Sequence, residues 1–347
     1  MTIRPSSKLP VVLIAGCVLI ATLSCASSSF KSRGDSNSQN ANTHILITEP
    51  DDGRTPIINA INGAKKSIDL TIYSLSDTAV ENALKSASAN GVEIRVLYNY
   101  HSFPDHEKEC VLKTMADLKA GGVLTRCASS DLAVTHQKTF TFDRAQSIIM
   151  TFNLQPGYFE NTRDFGIITK DKSEVLEIAR VFEADWTYTK VTPKVASLVW
   201  SNNNSTKKLL SLIQSAKVSL EIYNEELEDK QCLDALIRKA DSGVNVRVIS
   251  AQLLEGGYDR NKNYREYLNQ HGAKAKYMPT KDYLYCHAKM ILVDFGTSDA
   301  KAFVGAENFS STSLNKNREL GIIVKEKDIL NRLHTVFETD WDRCKYD

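Results

Sequence analysis

The sequence lacks three things: an excess of charge of one sign, a cysteine pattern for metal, and a long apolar run. Its 347 residues carry 43 Lys and Arg against 42 Asp and Glu, which leaves a formal net charge of +1. A protein that binds nucleic acid over its whole surface is strongly basic, so this charge balance excludes such a protein. A local basic groove remains compatible with it. Neither a C-x-x-C pair nor a Cys/His set at zinc spacing occurs, and we expect no metal and no other cofactor.

No apolar run is long enough for a comfortable transmembrane helix. The one candidate, residues 10–24, falls short of the about 20 residues that a membrane span needs. Residues 1–25 resemble a bacterial secretory signal with a lipoprotein-type cysteine, and residues 26–43, rich in Ser and Asn, resemble a disordered linker. We favour Cys25 over Cys17 as the lipid-carrying residue, and an uncleaved anchor is the alternative. In either case we expect the folded part outside the cytoplasm and tied to a membrane, or secreted.

Seven cysteines fit an oxidising compartment loosely. Five lie beyond the N-terminal segment: Cys110, Cys127, Cys232, Cys286 and Cys344. The odd number leaves at least one thiol free unless it pairs between chains. Cys110 with Cys127 is the plausible local disulfide.

The chain also repeats itself. Five blocks recur in the same order at nearly constant spacing: 64–75 with 216–227, 91–96 with 243–248, 136–143 with 287–294, 162–168 with 317–323, and 181–186 with 336–341. Such ordered self-similarity indicates an internal duplication.

Each copy alternates apolar strands with amphipathic helices, then continues with two or three strands and a closing helix. Alternation of this kind favours a largely parallel sheet with helices on its faces. We therefore predict an α/β fold made of two duplicated domains, residues 44–190 and 191–347. Each domain should hold a mixed, largely parallel sheet flanked by helices.

The aligned copies share a set of polar residues. Both contain H-x-K-x4-D, followed by an asparagine and then by an acidic residue: His136, Lys138, Asp143, Asn153 and Asp164 in the first copy, and His287, Lys289, Asp294, Asn308 and Glu319 in the second. Strand side chains alternate faces, so the histidine and lysine of each motif point the same way, and the aspartate points to the other face.

This double motif resembles the phospholipase D superfamily, whose HKD motif is H-x-K-x4-D followed by G-S-x-N. The resemblance covers about residues 44 to 347, and the ordered duplication makes it specific. It implies one active site at the seam of two copies related by a pseudo-two-fold axis, and phosphoryl transfer through a phosphohistidine without metal.

The resemblance also assigns roles. His136 would be the nucleophile and His287 the general acid, although the sequence does not separate the two roles. Four groups would hold the phosphate oxygens, namely Lys138, Lys289, Asn153 and Asn308. Asp164 and Glu319 match the position that hydrogen-bonds the far imidazole nitrogen, and Asp143 and Asp294 are expected to cap strand ends.

The chain departs from the family pattern beside the asparagines. Met150 and Thr151 occupy the Gly-Ser positions in the first copy, and Ala306 occupies the Ser position in the second. The two histidines, two lysines and two asparagines of the phosphate site are all kept, so we expect an active enzyme. The long side chain of Met150 is expected to narrow the entrance of the pocket.

The sequence is compatible with either a lipid or a nucleic acid as substrate. Residues 256–287 interleave six tyrosines with six Lys and Arg residues, a pattern that suits a quaternary ammonium head group, stacked bases, or simply an amphipathic helix ended by Gly272. The membrane tether and near-neutral charge favour a phospholipid substrate at a membrane surface. A secreted endonuclease, a phosphatidyl transferase of the cardiolipin synthase kind and a non-enzymatic anion-binding module are the alternatives, and we expect a monomeric catalytic unit.

Overall fold

A computed structural model describes residues 43–347, which lie within one compact unit. The predicted signal or anchor, the choice between Cys17 and Cys25, and nearly all of the linker at 26–43 lie outside the described residues. Within 43–347, no helix is both long enough and apolar enough to span a membrane.

The first half of the chain alternates strands and helices as predicted. Its strands are β1 (His44–Glu49), β2 (Ser67–Ile72), β3 (Glu93–Tyr98), β4 (Leu124–Cys127), β5 (Thr139–Phe142), β6 (Gln146–Met150) and β7 (Thr162–Thr169). Its helices are α1 (Thr55–Gly63), α2 (Thr78–Ala89), α3 (Asp105–Ala120) and α4 (Lys172–Trp186), with a 3-10 turn at Pro156–Phe159.

The second half repeats this order with a small insertion. Its strands are β8 (Leu198–Trp200), β9 (Ser219–Asn224), β10 (Asn245–Ser250), β11 (Leu254–Glu255), β12 (Tyr258–Asp259), β13 (Lys274–Tyr277), β14 (Tyr285–Cys286), β15 (Met290–Val293), β16 (Lys301–Gly305) and β17 (Leu320–Val324). Its helices are α5 (Ser205–Gln214), α6 (Lys230–Asp241), α7 (Lys262–Gln270), α8 (Ser311–Asn315) and α9 (Lys327–Arg343). The insertion is the short β11–β12 hairpin.

The two main sheets have the same strand order, which confirms the duplicated α/β fold. The first runs β1-β7-β6-β5-β2-β3-β4, and the second, in the matching direction, runs β8-β17-β16-β15-β9-β10-β13. Within each path, parallel pairing is confined to the three strands that alternate with helices, and the remaining pairs are antiparallel. The sheets are therefore mixed, and the expected parallel character belongs to one edge of each.

Equivalent local signals set the helices. Asp77 and Asp229 each cap the helix that follows β2 or β9, because their carboxylates accept a hydrogen bond from a backbone N–H three residues later. After these helices the chain turns at Gly91 (φ 88°) and Gly243 (φ 87°), a conformation that glycine adopts without strain.

One apolar core is shared by both halves. It joins Leu46, Ile149 and Phe165 of the first half with Tyr223 and Met290 of the second. Shared burial removes apolar surface of both sheets from water, which holds the copies together. The domain boundary at residues 190 and 191 stays a prediction.

The motif aspartates cap strand ends, as expected. Asp143 accepts hydrogen bonds from the backbone N–H groups of residues 65, 66 and 67, at 2.7–2.9 Å. Asp294 does the same for residues 217, 218 and 219, at 2.7–3.1 Å. Each carboxylate thus ties the end of the motif strand to the start of β2 or β9, and neither bonds to the motif histidines.

The expected disulfide is wrong. All five described cysteines are free thiols, including Cys110, which is exposed, and Cys127, which is half-buried. The Cys127 sulfur lies 3.4 Å from His101 Nε2 instead.

Candidate active site

Each motif histidine is tied by its own backbone to the other copy. The His136 N–H donates to the carbonyl oxygen of Arg318 at 3.0 Å, and the His287 N–H donates to that of Arg163 at 3.2 Å. Beside these bonds, β14 pairs in parallel with β7, and Thr135 forms an equivalent bridge to Arg318. The two histidine–lysine segments are therefore extended chain that precedes β5 and β15 and lines the seam.

Two ion pairs cross the seam in a symmetric way. Arg163 of the first copy binds Asp340 on α9 through two bonds of 2.7 and 3.1 Å, and both side chains are buried. Arg318 of the second copy binds Asp185 on α4 at 2.9 Å. Because each arginine directly precedes an acidic site residue, these pairs fix where that acid stands.

The acidic residues also reach across the seam. Asp164 Oδ1 lies 2.9 Å from His287 Nδ1, and Glu319 Oε2 lies 3.4 Å from His136 Nδ1. Both carboxylates are fully buried. The sequence placed an acid beside each imidazole, but only the structure shows that each copy orients the histidine of the other copy.

Hydroxyl and amide groups hold the two carboxylates. Asp164 accepts hydrogen bonds from Thr151 and from Thr162, the latter at 2.6 Å. Glu319 Oε1 accepts from Ser313 at 2.9 Å and from the Asn317 amide at 2.7 Å. Ser313 and Asn317, which the sequence comparison missed, supply the donors that Ala306 cannot.

Both motif lysines are buried against the site. Lys138 Nζ donates to the carbonyl oxygen of His136, and Lys289 Nζ donates to that of His287, each at 2.6 Å. Burial, together with the nearby Lys289 ammonium, lowers the pKa of Lys138 to about 7. The two cations are thus close enough to repel each other, an arrangement that an anion between them would relieve.

The His136 imidazole is neutral at pH 7. Burial, together with the Lys138 ammonium, lowers the pKa of His136 to about 4, although Glu319 acts in the opposite direction. About 15% of the side chain remains exposed, so the ring is accessible. A neutral, accessible imidazole can act as a nucleophile.

The asparagines complete the set, and Met150 stands apart from it. Within residues 43–347 the side-chain oxygens of Asn153 and Asn308 have no hydrogen-bond partner, and the Asn308 amide donates to Glu225 at 3.3 Å. Met150 is fully buried in the core of the first sheet. The expected narrowing of the entrance is therefore wrong, because this side chain packs inward.

Tyrosines line the site, but not mainly those expected. The ring of Tyr73 lies edge-on to His136, with centroids 4.9 Å apart, and that of Tyr158 lies edge-on to His287 at 4.8 Å. Of the tyrosine-rich segment 256–287, Tyr285 approaches His287 at 6.4 Å, whereas Tyr283 binds Asp340. Part of that segment forms the amphipathic helix α7, followed by Gly272 as predicted.

Glu225 is the residue that the sequence reasoning missed entirely. Its Oε2 accepts a hydrogen bond from Lys289 Nζ at 2.8 Å and lies 3.7 Å from His287 Nε2, and its Oε1 accepts from the Tyr285 hydroxyl at 2.7 Å. The alignment of the two copies contained a signal, because Glu225 takes the position of Tyr73 directly after the strand that neighbours the motif.

Three side chains of metal-ligating type cluster away from this site. Within the described residues, Glu221, His334 and Glu338 come close enough to share an ion. The Arg247 guanidinium, however, hydrogen-bonds both carboxylates. Its positive charge already satisfies them and would repel a cation, so the cluster is an ion-pair network.

Comparisons with known proteins agree with the duplication. The family model described as "Cardiolipin synthase, PLD-like domain" matches residues 57–186 and again residues 209–341. No curated protein matches the chain.

Two solved structures have a similar fold. A polyphosphate kinase from Porphyromonas gingivalis superposes with a TM-score of 0.67 at 15% identity, over 85% of this chain and 46% of that one. A phosphatidylserine synthase from Haemophilus influenzae superposes with a TM-score of 0.66 at 15% identity, over 88% of this chain and 86% of that one. This chain thus spans about half the length of the kinase, and at such identity the similarity shows the fold alone.

Proposed function

Because the chain belongs to the phospholipase D superfamily, with two PLD-like segments in one chain, we propose that it is a phosphodiesterase that hydrolyses phospholipid head groups to phosphatidate. One observation carries the proposal: both motif imidazoles lie at the seam, and each has a buried carboxylate of the other copy beside its Nδ1, at 2.9 Å for His287 and 3.4 Å for His136. Such pairing fixes the tautomer of each ring and directs its other nitrogen toward a substrate.

The first step forms a covalent bond to the enzyme. Neutral His136 attacks phosphorus through Nε2, the bond from phosphorus to the head-group oxygen breaks, and His287 gives its proton to the departing alkoxide. The products are a phosphohistidine and the free head-group alcohol. Lys138, Lys289 and the two asparagine amides stabilise the charge on the non-bridging oxygens.

The second step releases phosphatidate. Water attacks the phosphohistidine, the nitrogen–phosphorus bond breaks, and His287 takes the proton that water loses. His136 recovers its lone pair, and both rings return to their starting states. An alcohol in place of water would give transfer instead of hydrolysis by the same chemistry.

The electrostatic asymmetry of the site supports the division of roles. His136 lies beside the Lys138 ammonium and has a pKa lowered to about 4, as a nucleophile requires. His287 has a carboxylate oxygen near each ring nitrogen, Asp164 at 2.9 Å and Glu225 at 3.7 Å. That surrounding complements an imidazolium, which is the form that a general acid needs.

The choice of lipid as substrate rests on two sequence features. The formal net charge of +1 lacks the basic excess of a nucleic-acid binder, and the N-terminal segment resembles a membrane tether. We accordingly propose that the catalytic unit acts as a monomer outside the cytoplasm, at the membrane surface where its substrate resides.

A parallel assay tests the proposal. The protein is incubated with phosphatidylcholine vesicles or plasmid DNA in the presence of a chelator, and wild type is compared with His136→Ala and His287→Ala. We expect phosphatidate release that both substitutions abolish. His106→Ala serves as the matched control, because this histidine is exposed on α3 and should not affect turnover.

The other outcomes separate the alternatives. DNA nicking without phosphatidate release would favour an endonuclease, and phosphatidyl transfer to an added alcohol without hydrolysis would favour a transferase. Folded protein that binds phosphate but turns over none of these substrates would contradict the enzyme proposal.

A further inference from the structure

A carboxylate of the protein occupies the second half of the phosphate pocket. Glu225 Oε2 accepts from Lys289 at 2.8 Å and from Asn308 at 3.3 Å, and lies 3.7 Å from His287 Nε2. In the proposed mechanism Lys289 and Asn308 hold the phosphate oxygens, and His287 Nε2 protonates the leaving oxygen. One oxygen of Glu225 therefore stands where a phosphate oxygen has to bind.

The first copy has no such carboxylate. Tyr73 takes the equivalent position, and its ring centroid lies 5.3 Å from Lys138 Nζ. Glu225 is ionised at neutral pH: burial acts against ionisation, but the Lys289 ammonium and His287 together hold its pKa well below the usual range. Asp164 and Glu319 face the Nδ1 side of the imidazoles, whereas Glu225 places a negative charge directly on the phosphate-binding groups of the second copy.

The substrate has to displace this carboxylate without removing it. A phosphate oxygen can bind Lys289 and Asn308 only if Glu225 Oε2 moves away from them. The second oxygen of Glu225 is held by the Tyr285 hydroxyl at 2.7 Å, so the displaced group stays beside the pocket. There it repels a bound anion, and the repulsion grows with the charge of that anion.

We infer that Glu225 sets the charge specificity of the pocket, admitting singly charged phosphodiesters and disfavouring doubly charged phosphomonoesters and phosphate chains. The inference rests on the proposed function, because it assumes that the second copy binds the phosphate. It adds a specificity-determining residue that forms no bond to phosphorus and transfers no proton.

Binding of two small probes tests the inference without turnover. Dimethyl phosphate carries one negative charge, and methyl phosphate carries close to two at pH 7.5. Their dissociation constants are measured by NMR titration for wild type, Glu225→Gln and Glu228→Gln. Glutamine keeps the size of Glu225 and an oxygen that can accept from Tyr285, and Glu228→Gln removes the same charge from a glutamate paired with Arg260 outside the pocket.

We expect Glu225→Gln to tighten methyl phosphate about tenfold more than dimethyl phosphate, and Glu228→Gln to leave the ratio of the two constants at its wild-type value. An unchanged ratio in Glu225→Gln, with the melting temperature preserved, would overturn the inference. So would a failure of both probes to bind any of the three proteins. If the two probes bind with the expected ratio of dissociation constants but no phospholipid is cleaved, the lipase proposal is wrong and the inference about Glu225 stands.

Discussion

The pH dependence of turnover follows from two buried groups with opposite requirements. His136 has to be neutral to attack phosphorus, and its pKa is lowered to about 4. Lys138 has to be charged to bind the phosphate, and its pKa is lowered to about 7. Activity should therefore be lost as the pH falls through about 4 and as it rises through about 7, which gives a bell-shaped profile of kcat/KM.

The two pKa shifts are large enough to change the amount of reactive enzyme at pH 5 and at pH 9. At pH 5 an ordinary histidine with a pKa of 6.5 would be about 3% neutral, whereas His136 would be about 90% neutral, a difference of about thirtyfold in reactive enzyme. At pH 9 an ordinary lysine would be almost fully charged, whereas Lys138 would be about 1% charged, so kcat/KM should fall about a hundredfold from its maximum.

The assay uses bis(para-nitrophenyl) phosphate, a soluble diester whose leaving group departs without protonation. With this substrate the alkaline limb reports Lys138 rather than the general acid. An acid limb centred near pH 6.5 would refute the assignment of His136 as a desolvated nucleophile. An alkaline limb above about pH 10 would refute the lowering of the Lys138 pKa by burial and by the Lys289 ammonium.

Four substitutions probe the site and the backbone that supports it. Asp164→Asn should lower kcat about 10³-fold or more with little change in melting temperature, because a neutral amide no longer compensates the charge of the His287 imidazolium and its NH2 group can donate to Nδ1, which favours the wrong tautomer. His287→Ala should abolish phospholipid hydrolysis but still release about one para-nitrophenolate per enzyme from bis(para-nitrophenyl) phosphate, because only its second step lacks a base, whereas His136→Ala should abolish this release as well; the reverse pattern would exchange the two roles. Asp294→Ala should lower the free energy of unfolding in urea by about 3 kcal/mol, because three backbone N–H groups lose their acceptor, while the residual kcat/KM of folded protein stays close to wild type.

The fold was predictable because its signals are local. Strand and helix periodicity, the capping residues Asp77 and Asp229, and the glycines after α2 and α6 all lie within a few residues of the elements they define. The proportion of parallel strands was less accessible. Which strands become neighbours depends on how the sheet closes around its core, and local periodicity does not contain that information.

The predictions of a Cys110–Cys127 disulfide and of a pocket entrance narrowed by Met150 were wrong for a similar reason. Cys110 and Cys127 are near in sequence, but α3 and β4 set their positions, and both thiols stay free. Met150 was placed at the entrance from its motif position alone. In the sheet its side chain turns to the apolar face, where burial of a thioether is favourable.

The sequence alone determines the duplication, the α/β class and the six polar groups of the pocket, because each copy carries its own complete motif. The sequence does not determine which of those groups become neighbours. Asp164 lies beside His287, and Glu319 lies beside His136, only because the copies share one core and two ion pairs across the seam set their alignment. Tertiary structure also gives Glu225 its role, because Lys289 and Tyr285 are distant from it in the chain. The short helix α8 and the turn after it bring Ser313 and Asn317 to Glu319. Local sequence determines which face a side chain occupies, and tertiary packing decides which group stands opposite it.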